Sequence, residues 1–354
     1  MTIRPYTATA IGSLPYVEPE KAIDLIWKYL PDIPHWPQLP KRGNKEHFIY
    51  QYLYPLVELG LLEQMNDGKM RLNSGSPKWE ERLTKFYSSF LEVEKTNDLA
   101  KFATPPDSAL GFYRFLEDID KRGIRQATML KGQISGPMTV ALYLYDQDGK
   151  PAYYQSQMRD ILVKTLALQA RWQAKELAAR GLPAVIFIDD PSVYAVGSST
   201  FISVNRQDVV SLMKEMVLEI KKDARLVGVH SCAGVDWSIF TEAGFDIISF
   251  DADMYFDSLF VALDELKHFL GNGGMLAWGG IPTSDKIHSI NQTELIDLWK
   301  RHYNKLVHNG ISQNLLKQVL ITPSCGAGTL SEQVTERIYS LNHNVSQHLQ
   351  AEWI

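Results

Sequence analysis

Cysteine is nearly absent, with two residues in a chain of 354. So small a supply makes no disulfide framework. In a reducing compartment two thiols read as ligands, nucleophiles or plain core residues. No block of lysine or arginine interrupts the sequence, and acidic residues outnumber basic ones, 41 to 36. Binding to a phosphate backbone needs the opposite balance, so nucleic acid is not an expected partner. No apolar run approaches the ~20 residues that span a bilayer. The N-terminal stretch MTIRPYTATAIGSLPY lacks the apolar core of a secretion signal. No membrane role and a cytoplasmic location are the expectations. Repeats and low-complexity tracts are also missing.

What is present is a core and a rhythm. The composition, 45% hydrophobic, supports a large buried interior. Short apolar runs occur at 127–136, 184–191, 226–232, 246–252, 275–282 and 319–326, each the length of a buried strand. Between them, apolar residues recur at helical spacing: Leu162, Leu166, Ala170, Ala174 and Leu177; Val209, Met213, Met216 and Ile220; Leu259, Leu263, Leu266 and Leu270; Ile296, Trp299, Tyr303 and Leu306. Strands alternating with amphipathic helices give a parallel sheet covered by helices. Adding Thr7–Leu14 as a first strand and Met70–Ser74 as a weaker second makes eight. The expected fold is therefore α/β, a (β/α)8 barrel with an enlarged first βα unit, as one domain over residues 1–354. Prolines at 31, 34, 37 and 40 mark a stiff, extended loop inside that enlarged unit, a surface loop or a wall over the mouth.

In such a barrel chemistry sits where strands end. His230 and Cys232 close one strand, Asp251 the next and Cys325 the last. Residues two apart on a strand point the same way, so His230 and Cys232 project together. Imidazole, two thiolates and a carboxylate suit a tetrahedral zinc, with the carboxylate the natural ligand to exchange during catalysis. Cysteines in buried strands are equally common as plain core residues. Asp189 and Asp190 are neighbours on one strand and face opposite ways. They cannot form a paired acid and base; one is expected to bind substrate and the other to cap the following turn or pair with a neighbour.

At these residues the chain resembles the C-terminal catalytic barrel of cobalamin-independent methionine synthase. That family shares a superfamily with uroporphyrinogen decarboxylase and the corrinoid-dependent methyltransferases. The matching pieces are Ile11-Gly12-Ser13, Ser135-Gly136-Pro137-Met138-Thr139, Ile188-Asp189-Asp190-Pro191, His230-Ser231-Cys232, Asp246 to Asp251, and Cys325-Gly326, in family order. The resemblance implies zinc held by His230, Cys232 and Cys325, with Asp251 in the slot of a family glutamate one methylene longer. It implies that Ile11 and Ser13, with their backbone, receive the carboxylate of homocysteine or a related thiol, and that Asp189 receives its ammonium.

The departures from the family bear on the methyl donor. The full-length synthase has two barrels, and this sequence reads as one. Tyr143 replaces a tryptophan that stacks on folate. No histidine follows the run Ala277-Trp278-Gly279-Gly280, where the family keeps an acid. A second carboxylate on the substrate amine is not found; the corresponding stretch runs from Trp36 to Arg42. A folate leaving group needs that acid and cob(I)alamin does not. The expected donor is thus methylcobalamin, free or on a corrinoid protein, with Trp36 and Trp278 either covering a corrin face or simply packing the barrel top. Two other readings stay open. One is a non-catalytic zinc- or corrinoid-binding accessory protein. The other is a uroporphyrinogen decarboxylase-like enzyme, in which the histidine and cysteines would have no task.

Overall fold

The computed structural model of the chain describes residues 3–201 and 203–353. Its regular strands, in chain order, are β1 (Leu62–Gln64), β2 (Met70–Leu72), β3 (Leu130–Ser135), β4 (Ala184–Asp189), β5 (Leu226–Ser231), β6 (Ile247–Asp251), β7 (Met275–Ile281) and β8 (Val319–Pro323). The helices are α1 (Pro19–Tyr29), α2 (Tyr54–Glu58), α3 (Trp79–Thr96), α4 (Leu110–Arg122), α5 (Pro137–Tyr143), α6 (Ser156–Ala178), α7 (Arg206–Ile220), α8 (Ser238–Ala243), α9 (Leu263–Gly271), α10 (Gln292–His308) and α11 (Glu332–Trp353). None is long and apolar enough to cross a membrane.

Strands β3 to β8 form one parallel sheet in sequence order. Almost every residue in them is buried, as expected of strands covered on both faces. Two extended segments close the curl. Ala8 bridges to Ile321 of β8, with Thr9 N–H donating to Ile321 O at 3.0 Å. His35 bridges to Lys131 of β3, and Lys131 N–H donates to Pro34 O at 2.9 Å. The two segments meet each other where Leu14 N–H donates to Gln38 O and Gln38 N–H to Gly12 O. The ring is the α/β barrel, six regular strands and two that touch their neighbours through single bridges.

The second place in the ring belongs to residues 33–38, and this corrects the sequence reading. Met70–Leu72 pairs antiparallel with Leu62–Gln64 in a local hairpin outside the barrel. Prolines 34 and 37 remove two backbone donors from the 33–38 segment, so it cannot make a regular ladder and shows no strand signature. With α1 following the first segment directly, the extra length expected in the first unit lies after the second, between Pro40 and β3.

Inside the ring the floor is apolar: Ile33, Met129, Val185, Phe187, Ile247, Met275, Ala277 and Leu320 pack together. Side chains alternate along a strand, so the next inward positions toward the strand ends follow at once. They are Asp189 above Phe187, Ser249 and Asp251 above Ile247, and Thr322 above Leu320. The interior turns from apolar to polar along the barrel axis. The polar end is the end where strands feed into helices.

Candidate functional site

His230 is the last but one residue of β5 and lies in register with Asp189 of β4 and Ser249 of β6. Its ring is buried, with Nδ1 3.0 Å from Ser249 Oγ and Nε2 without any hydrogen-bond partner. With Ser249 accepting from Nδ1–H, the lone pair on Nε2 is free and the ring is fixed in orientation. Cys232 follows two residues later and Cys325 two residues beyond β8. One ligand atom from each of His230, Cys232 and Cys325 lies within 4.8 Å of the others. That spacing suits atoms arranged ~2.0–2.3 Å around one centre. An orphaned imidazole nitrogen and two free thiols in so small a volume fit a soft divalent ion.

The thiols are not equivalent. The neighbouring Cys325 thiol, with His230 beside it, pulls the Cys232 thiol below the ordinary range. The neighbouring Cys232, and then burial, push the half-buried Cys325 thiol up. A cation bound by both sulfurs would favour the thiolate at each.

The structure does not bring Asp251 into this cluster. Its Oδ1 accepts from the backbone N–H of Asp253 and Met254, both at 2.9 Å, and so holds the turn after β6. With one methylene fewer than a glutamate, the carboxylate stays with its own turn.

The expected substrate residues do converge. Ser13 O accepts from Ala327 N–H at 3.0 Å, and a Cβ placed on Gly326 would strike Ser13 Oγ and come 3.7 Å from Ile11. Ile11 and Ser13 therefore border the residue immediately after Cys325. Asp189 lies on the other side, beside His230. Its Oδ1 is buried with no partner while the residue keeps some surface open. Burial raises its carboxyl above the usual range, with Lys131 and His230 opposing. Asp190 faces outward and accepts from Met138 N–H (2.8 Å), Thr139 N–H (2.9 Å) and Thr139 Oγ1 (2.6 Å) at the start of α5. A side chain at Gly136 would collide with it, which accounts for that glycine.

The two tryptophans offer no face to a ligand. Trp36 is buried against Phe112, with Nε1 donating to Gln173 at 2.9 Å. Trp278 alternates with the inward Ala277 and packs outward on Phe250 and Phe256. Gly279 marks a close approach of strands, because a Cβ there would meet Phe250 O and lie 3.0 Å from Ser324 Cα. Tyr143 is half exposed at the end of α5 and stacks with His47, which in turn stacks on Tyr50.

Three buried polar residues that the sequence reading gave no role lie on or against the barrel strands. Ser249 orients His230. Tyr52 OH donates to Gln133 O at 3.2 Å. Lys131 stands fully buried on β3. The signal for Lys131 was available: one lysine inside an otherwise buried run.

No family model and no curated protein matches the sequence. Similar solved structures include a B12-independent methionine synthase from Shewanella sp. in complex with selenomethionine, at 18% identity over 67% of each chain with a TM-score of 0.47. A methyltransferase from Methanosarcina mazei aligns at 16% identity over 97% of this chain and 93% of its own, with a TM-score of 0.48. A GH113 β-1,4-mannanase aligns at 12% identity over 68% and 78%, with a TM-score of 0.39.

Proposed function

We propose that this chain is a zinc-dependent thiol methyltransferase. Its acceptor is homocysteine or a related amino-acid thiol, and its donor is a methylated corrinoid, either methylcobalamin or a corrinoid protein. The observation that carries the reading is the convergence of His230 Nε2 and the Cys232 and Cys325 sulfurs at the polar end of the barrel. His230, Cys232 and Cys325 would hold the ion. When bound, zinc supplies the charge that lets an acceptor thiol, with a free pKa of about 8.5, exist as thiolate at neutral pH.

The rest is done by the chain. Asp189, open to the mouth on one side, pairs with the acceptor ammonium. Ser13, next to Gly326, meets its carboxylate. The two contacts lie on either side of the thiol ligands and fix the acceptor sulfur among them, which is where most of the rate gain arises. The sulfur then forms the bond to the methyl carbon, and the donor departs with the electron pair of the broken bond. Cob(I)alamin leaves without a proton. This agrees with the C-terminal end of β7, where Gly279, Gly280 and Ile281 provide no acid.

The test is metal analysis followed by a methyl-transfer assay with homocysteine, run in parallel with methylcobalamin and with polyglutamylated methyl-folate. Zinc near one per chain and transfer from methylcobalamin are expected. Absence of zinc, with none taken up on titration, would remove the basis of the reading. Transfer from the folate alone would overturn the donor. Zinc and corrinoid binding without turnover would make the protein an accessory rather than an enzyme.

A further inference from the structure

Gln133 stands where the pairing between β3 and the 33–38 segment comes apart. Lys131 N–H donates to Pro34 O and Trp36 N–H to Lys131 O, the two bonds of one parallel step. The next step would join Gln133 N–H to Trp36 O and Gln38 N–H to Gln133 O. Instead, Gln38 N–H turns away to Gly12 O at 3.0 Å. Side chains take the two carbonyls left behind. Gln133 Nε2 donates to Trp36 O at 3.0 Å, beside His35 Nδ1 at 2.8 Å, and the Tyr52 hydroxyl donates to Gln133 O at 3.2 Å. The Gln133 side chain is buried throughout.

That side chain ends against Gly12. A Cβ on Gly12 would strike Gln133 at Cγ, Cδ and Nε2, so only glycine leaves room for the amide. The same relation recurs one residue on. A Cβ on Gly326 would strike Ser13 Oγ, and Ser13 O accepts from Ala327 N–H at 3.0 Å. Gln133, Gly12, Ser13 and Gly326 thus stack in contact from β3 to the residue after Cys325. The amide at the far end cannot swing aside freely, because doing so would break its bond to Trp36 O and leave buried polar groups unpaired.

We propose that Gln133 is a positioning residue of the acceptor pocket: by filling the space over Gly12 it fixes how far Ser13 stands from Cys325, so that the pocket selects amino-acid thiols by the length of chain between carboxylate and sulfur. With the carboxylate held at Ser13 and the sulfur among His230, Cys232 and Cys325, a ligand one methylene too long or too short cannot make both contacts. The inference rests on the amino-acid thiol reading of the acceptor.

The experiment titrates the zinc-loaded chain calorimetrically with L-homocysteine and L-cysteine, which differ by one methylene. It compares wild type, Gln133→Ala, Gly12→Ala and the double variant. Wild type should prefer one thiol by about tenfold or more. Gln133→Ala should bring that ratio within about threefold, with zinc content unchanged, because the three candidate ligands are carried by β5 and the end of β8. Gly12→Ala should weaken the preferred thiol by about tenfold. In the Gln133→Ala background it should cost less than about threefold, since its methyl enters vacated space. Equal weakening of both thiols by Gln133→Ala, a wild type that does not discriminate, loss of zinc, or additive effects of the two substitutions would overturn the proposal. If Gln133→Ala does not fold, Gln133→Met takes its place under the same criterion, because it lacks the bond to Trp36 O. If wild type binds neither thiol, the acceptor reading has failed. Gln133 is then judged by amide exchange: faster exchange at Leu14 and Ala327 in the variant, with β4 and β5 unchanged, keeps it as the brace of Ser13, and unchanged exchange excludes it.

Discussion

Ser249 Oγ lies 3.0 Å from His230 Nδ1, one strand away and in register with it. Both residues are buried, so no water can replace the hydroxyl. Ser249→Ala should therefore leave the fold in place and lower zinc affinity by about 10–100-fold, the usual effect of losing a group that orients a ligand. Competition against a chromophoric chelator reads it directly. Unchanged affinity would mean that His230 is not a ligand.

The three candidate ligands and Asp251 should separate cleanly. Cys232→Ser and Cys325→Ser should each reduce bound zinc from about one per chain to a small fraction of that after dialysis against a chelator. Asp251→Ala should keep its zinc and instead lose about 0.5–2 kcal/mol of stability, because its carboxylate caps the turn at Asp253 and Met254. Loss of zinc in this variant would restore the carboxylate to the ligand set.

Asp190 gives a pH signature. Burial raises its carboxyl to about 7, against the pull of the donors at Thr139 and Met138. A folded-state pKa above the unfolded value means that the folded chain holds the extra proton. The stability this provides is present at low pH and lost as pH rises through about 7. Asp190→Asn does not titrate. Wild type should be the more stable by about 1–3 kcal/mol near pH 5, and the gap should narrow toward pH 8. Denaturant melts at the two pH values decide it; a gap that widens with pH contradicts the assignment.

Gly279→Ala places a methyl against Phe250 O and Ser324 Cα, both backbone atoms that cannot swing aside. A loss of about 1–3 kcal/mol is expected. Zinc affinity should fall with it, because Ser324 immediately precedes Cys325. Gly280→Ala, whose nearest neighbour is a Trp278 ring atom at 3.1 Å, should cost less. Equal effects at the two glycines would argue against a strand-approach role for Gly279.

Some of this is legible in the sequence alone. Val185, Phe187 and Asp189 alternate in the sequence as they do in the barrel. The His230-Ser231-Cys232 spacing already placed two donor atoms on one face. What escaped was the second place in the ring. Pro34 and Pro37 suppress the ladder that a strand is recognised by, while Met70–Leu72 has strand-like residues but finds its partner locally in Leu62–Gln64. Trp278 was placed at the mouth although the inward Ala277 beside it requires the opposite face. The commitment of Asp251 to its own turn could not be read from residue type, since it depends on where the 253–254 amides point. Lys131 was passed over because lysine is ordinarily a surface residue, and its burial follows only from closure of the ring around it.

The closure itself has a thermodynamic consequence for binding. Ile11 and Ser13 are carried by the segment that joins β8 and its other neighbour through single bridges. The amides of Thr9, Leu14 and Gln38 are therefore protected from solvent exchange by far fewer neighbouring bonds than those of β4 or β5. A ligand that grips Ser13 on one side and Asp189 on the other spans that seam. By linkage, it must stabilise the closed ring by the free energy with which it prefers it. Amide exchange at Leu14 and Gln38 should slow in proportion to acceptor saturation while β4 and β5 stay unchanged, which makes the seam a site-resolved gauge of occupancy that needs no turnover.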